Sequence, residues 1–396
     1  MTVERIATQQ NYPLLTAILS WCGLIVVSSL YVTVPLLGVF AEAFAVSQEQ
    51  ASWTSSVFSF WYAIGFLFFG ALTERFGRRN VMMVGLLLLT IVTLVIGLVE
   101  TFYWLIFLRA LQGFVAASFA PAALAYVVEI FPNERRATTI GFLSTGFLMA
   151  GIVGQFISSL IVQYSAWNHV FTILAGLYCM SFFLLIKLPK DPVPDKAASF
   201  LALYKSVGML FRQKPLLCCY AITFTLLLSF VGMYTVLGNY LGDSFGMTDR
   251  QILFVRTIGI FGMLLSPLAG YLIRKFHHHT VLRAGLAFAV LGLAFMGIAP
   301  YVGFLVAMSV LFVAGVSLTI PTMIVLIGQL GGDNKDLAIS LYTFILFIGA
   351  TLGPMIGVRV LQSSGYLVAF GTFAMLLSIS LFLSFWFKRE DLGSSQ

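Results

Sequence analysis

The chain has 396 residues, of which 60% are hydrophobic and only 9% are charged, and its formal net charge is +7. A soluble globular domain carries about 25% charged residues, so this composition excludes a soluble protein and indicates one embedded in a lipid bilayer. The positive charge does not indicate a nucleic-acid partner, because the basic residues lie in short clusters between apolar segments.

Twelve apolar segments follow one another along the chain. A helix needs about 20 mostly apolar residues to cross a bilayer, and lipid allows only helices or closed barrels to do so. None of the segments alternates between apolar and polar residues as a barrel strand does. The sequence therefore predicts an all-α membrane protein whose transmembrane helices lie at 14–40, 50–70, 80–99, 102–128, 137–162, 167–187, 215–240, 251–273, 280–299, 301–328, 337–362 and 366–387.

The longest polar stretch divides these helices into two sets of six. It predicts an N-terminal six-helix bundle at 1–187, a linker at 188–214 and a C-terminal six-helix bundle at 215–396. The segment GALTERFGRR at 70–79 recurs 200 positions later as GYLIRKFHHH at 270–279. Repeats of this kind indicate two pseudo-symmetric bundles with a transport site between them.

The basic residues predict the orientation, because short cytoplasmic loops are enriched in Lys and Arg. If the N-terminus is cytoplasmic, the outside loops hold only Arg250. Both termini and the linker are then expected in the cytoplasm, with eighteen of the 22 basic residues: Arg5, Arg75, Arg78, Arg79, Arg135, Arg136, Lys187, Lys190, Lys196, Lys205, Arg212, Lys214, Arg274, Lys275, Arg283, Lys335, Lys388 and Arg389.

Enzymatic, metal and cofactor sites are not indicated. The cysteines Cys22, Cys179, Cys218 and Cys219 lie in apolar segments without metal-ligand spacing, so we expect neither disulfides nor a metal site. The triplet at 277–279 is read as a solvated cytoplasmic turn, because adjacent histidines point in different directions. No nucleophile elbow or phosphate loop is present, so the protein is not expected to be an enzyme. An ion or solute gradient must drive any transport.

Three motifs carry a family resemblance. In the turn after the second apolar segment, Gly70 allows close helix packing and Gly77 allows a tight turn. The whole stretch at 70–79 resembles the G-x-x-x-D-R-x-G-R-R loop of the major facilitator superfamily, with Glu74 in place of the family's Asp. The segments RALQG at 109–113 and EIFPNERR at 129–136 resemble two further motifs of that family. The resemblance covers essentially the whole chain.

The resemblance implies two bundles that rock about a central cavity. Glu74 and Arg78 are then expected to form, with Glu129 and Arg135, a latch that closes the cytoplasmic side when the protein faces outward. The Gly-x3-Gly-Pro-x2-Gly pattern at 349–357 is either a packing surface with a proline kink or a gate. The candidate gating residues are Gly70, Glu74, Arg75, Gly77, Arg78, Arg79, Glu129, Arg135, Gly353 and Pro354.

Within that family the chain looks most like the bacterial drug–proton antiporters. Their fifth-span motif, G-x8-G-x3-G-P-x-x-G-G, is matched at Gly141 and Gly154, whereas Ala150, Gln155 and the Ser pair at 158–159 depart from it. This resemblance implies a monomer in a bacterial cytoplasmic membrane, with a small-molecule substrate, protons and the lipid bilayer as its partners.

Charged residues inside spans are costly and are functional candidates. Three arginines, Arg109, Arg256 and Arg359, fall inside the predicted spans, and no carboxylate lies mid-span. A guanidinium group suits a carboxylate or phosphate, so these residues indicate an anionic or zwitterionic substrate. Alternatively, Arg256 and Arg359 reach the outer headgroups or pair with Asp243 or Glu42. Arg109 lies in a family motif where this residue is structural or linked to protons.

The candidate substrate-binding residues combine these arginines with polar groups inside spans. Each polar group is either a ligand of the substrate or a helix–helix hydrogen-bonding partner. The set is Arg109, Gln112, Tyr31, Tyr234, Asn239, Arg256, Tyr342 and Arg359.

The sequence thus predicts a secondary transporter that works by alternating access. Its first reading is proton-coupled efflux of a small amphipathic or anionic metabolite, such as a siderophore or organic acid. The alternatives are a broad multidrug exporter, an importer or exchanger of an organic anion, and, least favoured, a membrane receptor. The proton travels on the substrate or on Glu42, Asp243 or Glu129.

Overall fold

The computed structural model describes residues 11–191 and 208–385, except for the side chains of Gln48, Glu74, Asp249 and Asp333. Most of the predicted linker and both predicted cytoplasmic termini therefore lie outside the described residues. Every regular element in the described part is a helix, as the composition predicts.

Six membrane-spanning segments, numbered here as spans 1 to 6, form the first half. Span 1 is broken: its first helix is followed by a short 3₁₀ helix and a second α-helix. Span 4 is also broken, into two helices. The bounds are Tyr12–Ser28, Val34–Leu36 and Leu37–Ala43 for span 1, Gln48–Phe76 for span 2, Arg78–Ile96 for span 3, Phe102–Ala116 and Ala120–Ile130 for span 4, Asn133–Tyr164 for span 5, and Asn168–Leu185 for span 6.

Spans 7 to 12 form the second half. Two long helices each contain two spans, because the backbone turns at His277 (φ 64°) between spans 8 and 9 and at Gly365 (φ 79°) between spans 11 and 12. Span 7 is Lys214–Phe245 and span 10 is Val302–Leu330. Span 8 consists of Asp249–Ile258, Ile260–Met263, Ser266–Leu268 and the part of Ala269–Met296 before His277, and span 9 is the rest of that helix. The short helix Gly332–Asn334 leads into Lys335–Ser384, which contains span 11 before Gly365 and span 12 after it.

These helices confirm the predicted twelve-helix architecture. Nine helices in the described part of the chain are long and apolar enough to cross a membrane. Two of the nine contain a turn and count as two spans each, and the shorter pieces of span 1 complete the set of twelve.

Matching details show how the two halves are built alike. The Ser47 hydroxyl accepts from the backbone of Gln50 at the start of span 2, and Thr248 with Gln251 forms the same capping box at the start of span 8. The predicted domain boundaries stay a prediction.

Close helix contacts also recur in both halves. Gly85 of span 3 packs on Ser118, and Gly285 of span 9 packs on Thr319, so tightly that a Cβ atom on either glycine would collide with the facing hydroxyl. Small residues of this kind let neighbouring membrane helices approach closely.

The glycine pattern of span 11 is a packing surface. Gly349 lies against the backbone of Phe224 and Gly353 against that of Leu228, both in span 7. Pro354 lies inside the helix beside these contacts. The pattern therefore joins two helices of the same half, and a gating role for Gly353 and Pro354 stays a prediction.

Candidate functional site

A small central cavity of about 50 Å³ lies where the two halves meet. Its walls are mainly aliphatic and aromatic, and their polar side chains are all hydroxyls. No charged side chain lines it within the described ranges. The lining residues are Val27, Tyr31, Ala120, Leu124, Ser144, Phe147, Leu148, Leu227, Phe230, Ile320, Ile324, Tyr342, Thr343, Leu346 and Phe347.

Two of the hydroxyls in this cavity are available to a ligand. Ser144 Oγ and Tyr342 Oη are buried and have no hydrogen-bond partner within the described residues. The Thr343 hydroxyl, by contrast, donates to the carbonyl oxygen of Ile339 at 2.8 Å. A buried polar group without a partner costs about 1–3 kcal/mol, so a ligand that bonds to Ser144 and Tyr342 would recover this loss.

An aromatic contact joins the halves beside the cavity. The ring of Phe347 in span 11 lies 5.0 Å from that of Tyr62 and 5.1 Å from that of Phe66, both in span 2. Offset and edge-to-face pairs at these distances are favourable beyond their buried area. Phe347 therefore both lines the cavity and ties span 11 to the first half.

Arg109 lies inside the first half and does not line the central cavity. It is fully buried, and its Nε donates to the carbonyl oxygen of Thr54 at 3.1 Å. One Nη donates to the carbonyl oxygen of Ser29 at 3.2 Å and to Gln112 Oε1 at 2.6 Å. The other donates to Thr33 Oγ1 at 3.3 Å. The guanidinium group thus connects spans 1, 2 and 4.

Two further contacts complete this buried cluster. The guanidinium group of Arg109 lies 4.3 Å from the ring centre of Phe58, and Gln112 Nε2 donates to Thr93 Oγ1 of span 3 at 2.7 Å. Gln112 is also fully buried. In this conformation both residues serve the packing of the first half, and their predicted role in substrate binding stays a prediction.

The other predicted substrate-binding residues fall into two groups. Tyr31 and Tyr342 line the central cavity from spans 1 and 11. Asn239 and Arg359 are exposed, and the Asn239 amide donates to the carbonyl oxygen of Thr235 in its own helix at 3.2 Å. The two groups are not brought together in one site.

Tyr234 and Arg256 lie close to the cavity without lining it. The ring of Tyr234 contacts that of Phe230, which does line the cavity, at 5.1 Å. Arg256 Nη2 donates to the carbonyl oxygen of Tyr234 at 3.1 Å. Arg256 therefore bonds to the helix that carries Phe230 but does not itself line the cavity.

One end of the molecule carries a cluster of charged turns, at 74–79, 129–136, 186–191, 274–279 and 331–336, and we call it the basic end. Its centre is Arg78, at the start of span 3. Arg78 Nε and Nη2 donate to Asp336 Oδ1 at 3.2 and 3.0 Å, and Nη2 lies 3.0 Å from Asp336 Oδ2. Both side chains are buried, so this ion pair firmly connects the two halves.

Asp191 and Glu129 surround the same guanidinium group. The carboxylate of Asp191 accepts the backbone N–H of Arg78 at 2.6 Å and of Arg79 at 3.1 Å. It therefore caps the positive end of the span 3 helix dipole. Glu129 Oε2 lies 3.8 Å from Arg78 Nη2 and pairs with the Lys335 ammonium across the halves.

Arg78 and Glu129 of the predicted latch meet in this network, and their gating role stays a prediction. Arg135 instead places its guanidinium group 5.2 Å from the ring centre of Tyr12, and the side chain of Glu74 lies outside the described residues. The sequence reasoning missed the central partner, Asp336. The sequence shows that Asp336 lies in a charged turn, but it does not show that this residue pairs with one 258 positions away.

The remaining gating candidates lie around this network. Gly77 adopts φ 81° between spans 2 and 3, which supplies the predicted tight turn. Arg79 Nη2 donates to the carbonyl oxygen of Ile186 at 2.9 Å, and Arg75 is exposed with its guanidinium group beside the ring of Phe76.

Two close contacts bring the halves together at the basic end. Gly70 of span 2 packs on Ser340 of span 11, and Gly270 of span 8 packs on Thr138 of span 5. A Cβ atom on either glycine would collide with the facing residue. Together with the ion pairs, these contacts join the two halves at the basic end.

A family model described as the Major Facilitator Superfamily matches residues 19–330 and 235–395. The chain belongs to this superfamily. Its members are transporters rather than enzymes, and the two helical halves around a central cavity fit that membership.

Relatives within the Major Facilitator Superfamily cover nearly the whole chain. An uncharacterized transporter of Buchnera aphidicola subsp. Schizaphis graminum is 27% identical over 89% of this chain and 88% of its own length. The multi-drug resistance efflux pump PmrA of Streptococcus pneumoniae is 26% identical over 91% of this chain and 93% of its own. The crystal structure of the human organic anion transporter MFSD10 (TETRAN) superposes with a TM-score of 0.75 at 16% identity, covering 95% of this chain and all of that one. That likeness shows the fold.

Proposed function

We propose that this transporter exports small amphipathic molecules by exposing the central cavity alternately to the two sides of the membrane. One observation carries the proposal: the cavity is lined by aliphatic and aromatic side chains and hydroxyls, and by no charged side chain within the described ranges. Such walls favour a largely apolar solute with a hydrogen-bonding group. The relationship to the efflux pump PmrA supports the direction of transport.

The orientation follows from the basic end. Clusters of Lys and Arg favour the cytoplasm, so we place the basic end there, in a bacterial cytoplasmic membrane. In that orientation the Arg78–Asp336 pair closes the cytoplasmic side. The described conformation is then one from which the cavity opens outward to release its solute. The proposal needs only one chain, because the cavity lies between its two halves.

We also propose that export is coupled to protons. No carboxylate lines the described cavity, so the proton must bind elsewhere. Glu129 is well placed, because it contacts both Arg78 and Lys335 at the junction of the halves. Protonation of Glu129 would weaken both contacts and favour opening of the basic end. We expect Glu129→Gln to reduce the response of the transport rate to an imposed pH gradient in proteoliposomes.

A second candidate function is the transport of an organic anion. Arg256 favours it, because it donates to the backbone of Tyr234, whose ring contacts Phe230 of the cavity wall. A rotation of span 8 would bring its guanidinium group towards a bound carboxylate. The name of the structurally similar human transporter is in keeping with this candidate.

A comparison of secreted metabolites tests the two candidates. Cells that overproduce the wild type are compared with cells that overproduce Leu346→Trp, which fills the cavity, or Leu291→Trp, which changes an exposed apolar position. Export of amphipathic molecules predicts neutral or weakly charged compounds in the medium with the wild type and Leu291→Trp but not with Leu346→Trp. Enrichment of carboxylates alone would favour the second candidate. Equal media for all three proteins would contradict both.

A further inference from the structure

A second cavity, of about 540 Å³, lies at the basic end between the two halves. Its volume falls in the range of small-molecule sites, about 300–1,000 Å³. Among the side chains that the structure describes, one carboxylate, that of Glu134, is on its wall. The basic side chains on the wall outnumber it: Arg136, Arg274, Lys335, His277 and His278.

The repeat explains why a cavity exists at this place. Gly270 follows Gly70 by 200 positions, and Ser340 follows Thr138 by 202 positions. The contacts Gly70–Ser340 and Gly270–Thr138 are therefore equivalent in the two halves. The basic end therefore has two equivalent positions, one beside each contact, which the pseudo-symmetry of the halves relates to each other.

The same offsets relate the residues of the ion pair to residues of the cavity. Position 278 corresponds to Arg78, and position 134 corresponds to Asp336. His278 and Glu134 both line the cavity and form no ion pair with each other. At one position the Arg78–Asp336 ion pair bridges the halves directly. At the equivalent position there is instead an open, mainly basic cavity.

Neither arginine of this cavity forms an ion pair with a carboxylate within the described residues, although Glu129 and Glu134 lie near enough to attract Arg136. Arg136 Nε donates to the carbonyl oxygen of Phe131 at 2.8 Å, and Arg274 donates to the backbone carbonyl oxygen of Glu134. Both guanidinium groups keep further N–H donors. Within the part of the chain that the structure describes, His278 Nδ1 is also buried without a hydrogen-bond partner.

We propose that the basic-end cavity binds a phosphate-type oxyanion that bridges the two halves. Arg136 comes from the first half, whereas Arg274 and Lys335, whose ammonium group also pairs with Glu129, come from the second. Guanidinium groups bind phosphate oxygens through paired N–H donors, and His278 adds a further nitrogen on the same wall. In the cavity, the anion supplies a negative charge between the halves, as Asp336 does for Arg78 at the equivalent position. The bound anion therefore stabilises the closed basic end.

The bound group belongs to a phosphorylated solute or to a lipid headgroup. A bare phosphate fills only part of 540 Å³, so the remaining space accommodates the rest of the ligand. Both sources present the same chemistry to Arg136 and Arg274. They differ in whether the ligand reaches the cavity from water or from the bilayer.

Titration calorimetry with inorganic phosphate tests the site on the full-length protein, purified in detergent and stripped of lipid. Arg136→Gln and Arg274→Gln are each expected to weaken phosphate binding about tenfold or more, since each loses charge-assisted hydrogen bonds. Lys275→Gln is the matched control, because Lys275 is exposed, adjacent to Arg274 and outside the cavity wall. Glu134→Gln is expected to tighten binding severalfold, a result that a misfolded protein would not give.

The proposal is overturned if the wild type does not bind phosphate, if Lys275→Gln weakens binding as much as Arg274→Gln, or if Glu134→Gln does not tighten it. The same titration in nanodiscs identifies the source. Weaker phosphate binding in phosphatidylglycerol than in phosphatidylcholine supports a competing lipid headgroup. Equal binding in both lipids supports a soluble phosphorylated ligand.

Discussion

Arg78 and Asp336 lie 258 positions apart in the chain, and their buried side chains form an ion pair with contacts of 3.0–3.2 Å. The pair joins the start of span 3 in the first half to the start of span 11 in the second. We therefore expect closure of the basic end to depend on these two side chains.

Asp336→Asn is expected to favour opening of the basic end. The substitution removes the charge that faces Arg78, and breaking one side of a buried ion pair costs about 3–5 kcal/mol. Spin labels at the exposed positions Asn80 and Lys275, one in each half, report the separation by double electron–electron resonance. The variant should show a larger population at long distance than the wild type. An unchanged distance distribution would mean that the pair does not hold the end closed.

Asp191→Asn is expected to act differently, although Asp191 also contacts Arg78. Asp191 accepts backbone N–H groups at the start of span 3 and lies in the predicted linker just after span 6, so it holds span 3 to that segment of the chain. Its loss should weaken the helix cap by about 0.5–2 kcal/mol and lower the melting temperature. The spin-label distances should stay as in the wild type. A shift as large as that of Asp336→Asn would show that Asp191 also controls closure.

Valine at Gly70 or Gly270 is expected to prevent the basic end from closing. Each glycine touches a residue of the other half so closely that an added side chain cannot fit. Transport should fall strongly for both variants, and to a similar extent, because the two contacts are equivalent. Gly176→Val is the control, since a Cβ atom there meets nothing within 4 Å. Normal transport by the Gly70 variant would contradict the packing argument.

Arg109→Lys is expected to destabilise the first half. Lysine keeps the positive charge but cannot reproduce the bonds that the guanidinium group makes with Thr54, Ser29 and Thr33. Thermal unfolding in detergent should show a melting temperature several degrees lower than the wild type. Arg359→Gln, at an exposed position, should change it little. If Arg109→Lys loses transport at an unchanged melting temperature, the functional role predicted from the sequence is favoured instead.

The twelve spans could be predicted because the length of an apolar segment is a local property of the chain. The breaks within spans were missed. Pro35, Pro121 and Pro267 each stand at the first or second position of a new helical piece. Proline has no N–H group and suits such starts, but Pro321 lies inside a continuous helix. A proline alone therefore did not locate the breaks.

The candidate site could be predicted only in part. Tyr31 and Tyr342 were selected as polar groups inside spans, and both line the cavity. Arg109 was selected because buried charge is costly, but that cost is met by carbonyl groups of neighbouring helices. Whether a buried charge faces a ligand or another helix depends on tertiary packing. For the same reason the role of Asp336 was not predicted, because its partner, Arg78, lies in the other half.

Transport of three related dyes tests the central claim most directly. Proteoliposomes with the wild type, Leu346→Trp or Leu291→Trp are loaded with one aromatic dye in a neutral, a carboxylated or a quaternary ammonium form. The uncharged cavity predicts that the wild type moves the neutral dye fastest, that Leu346→Trp moves it at least about tenfold more slowly, and that Leu291→Trp resembles the wild type. Equal rates for all three proteins, or fastest movement of a charged dye by the wild type, would contradict export of amphipathic molecules through the central cavity.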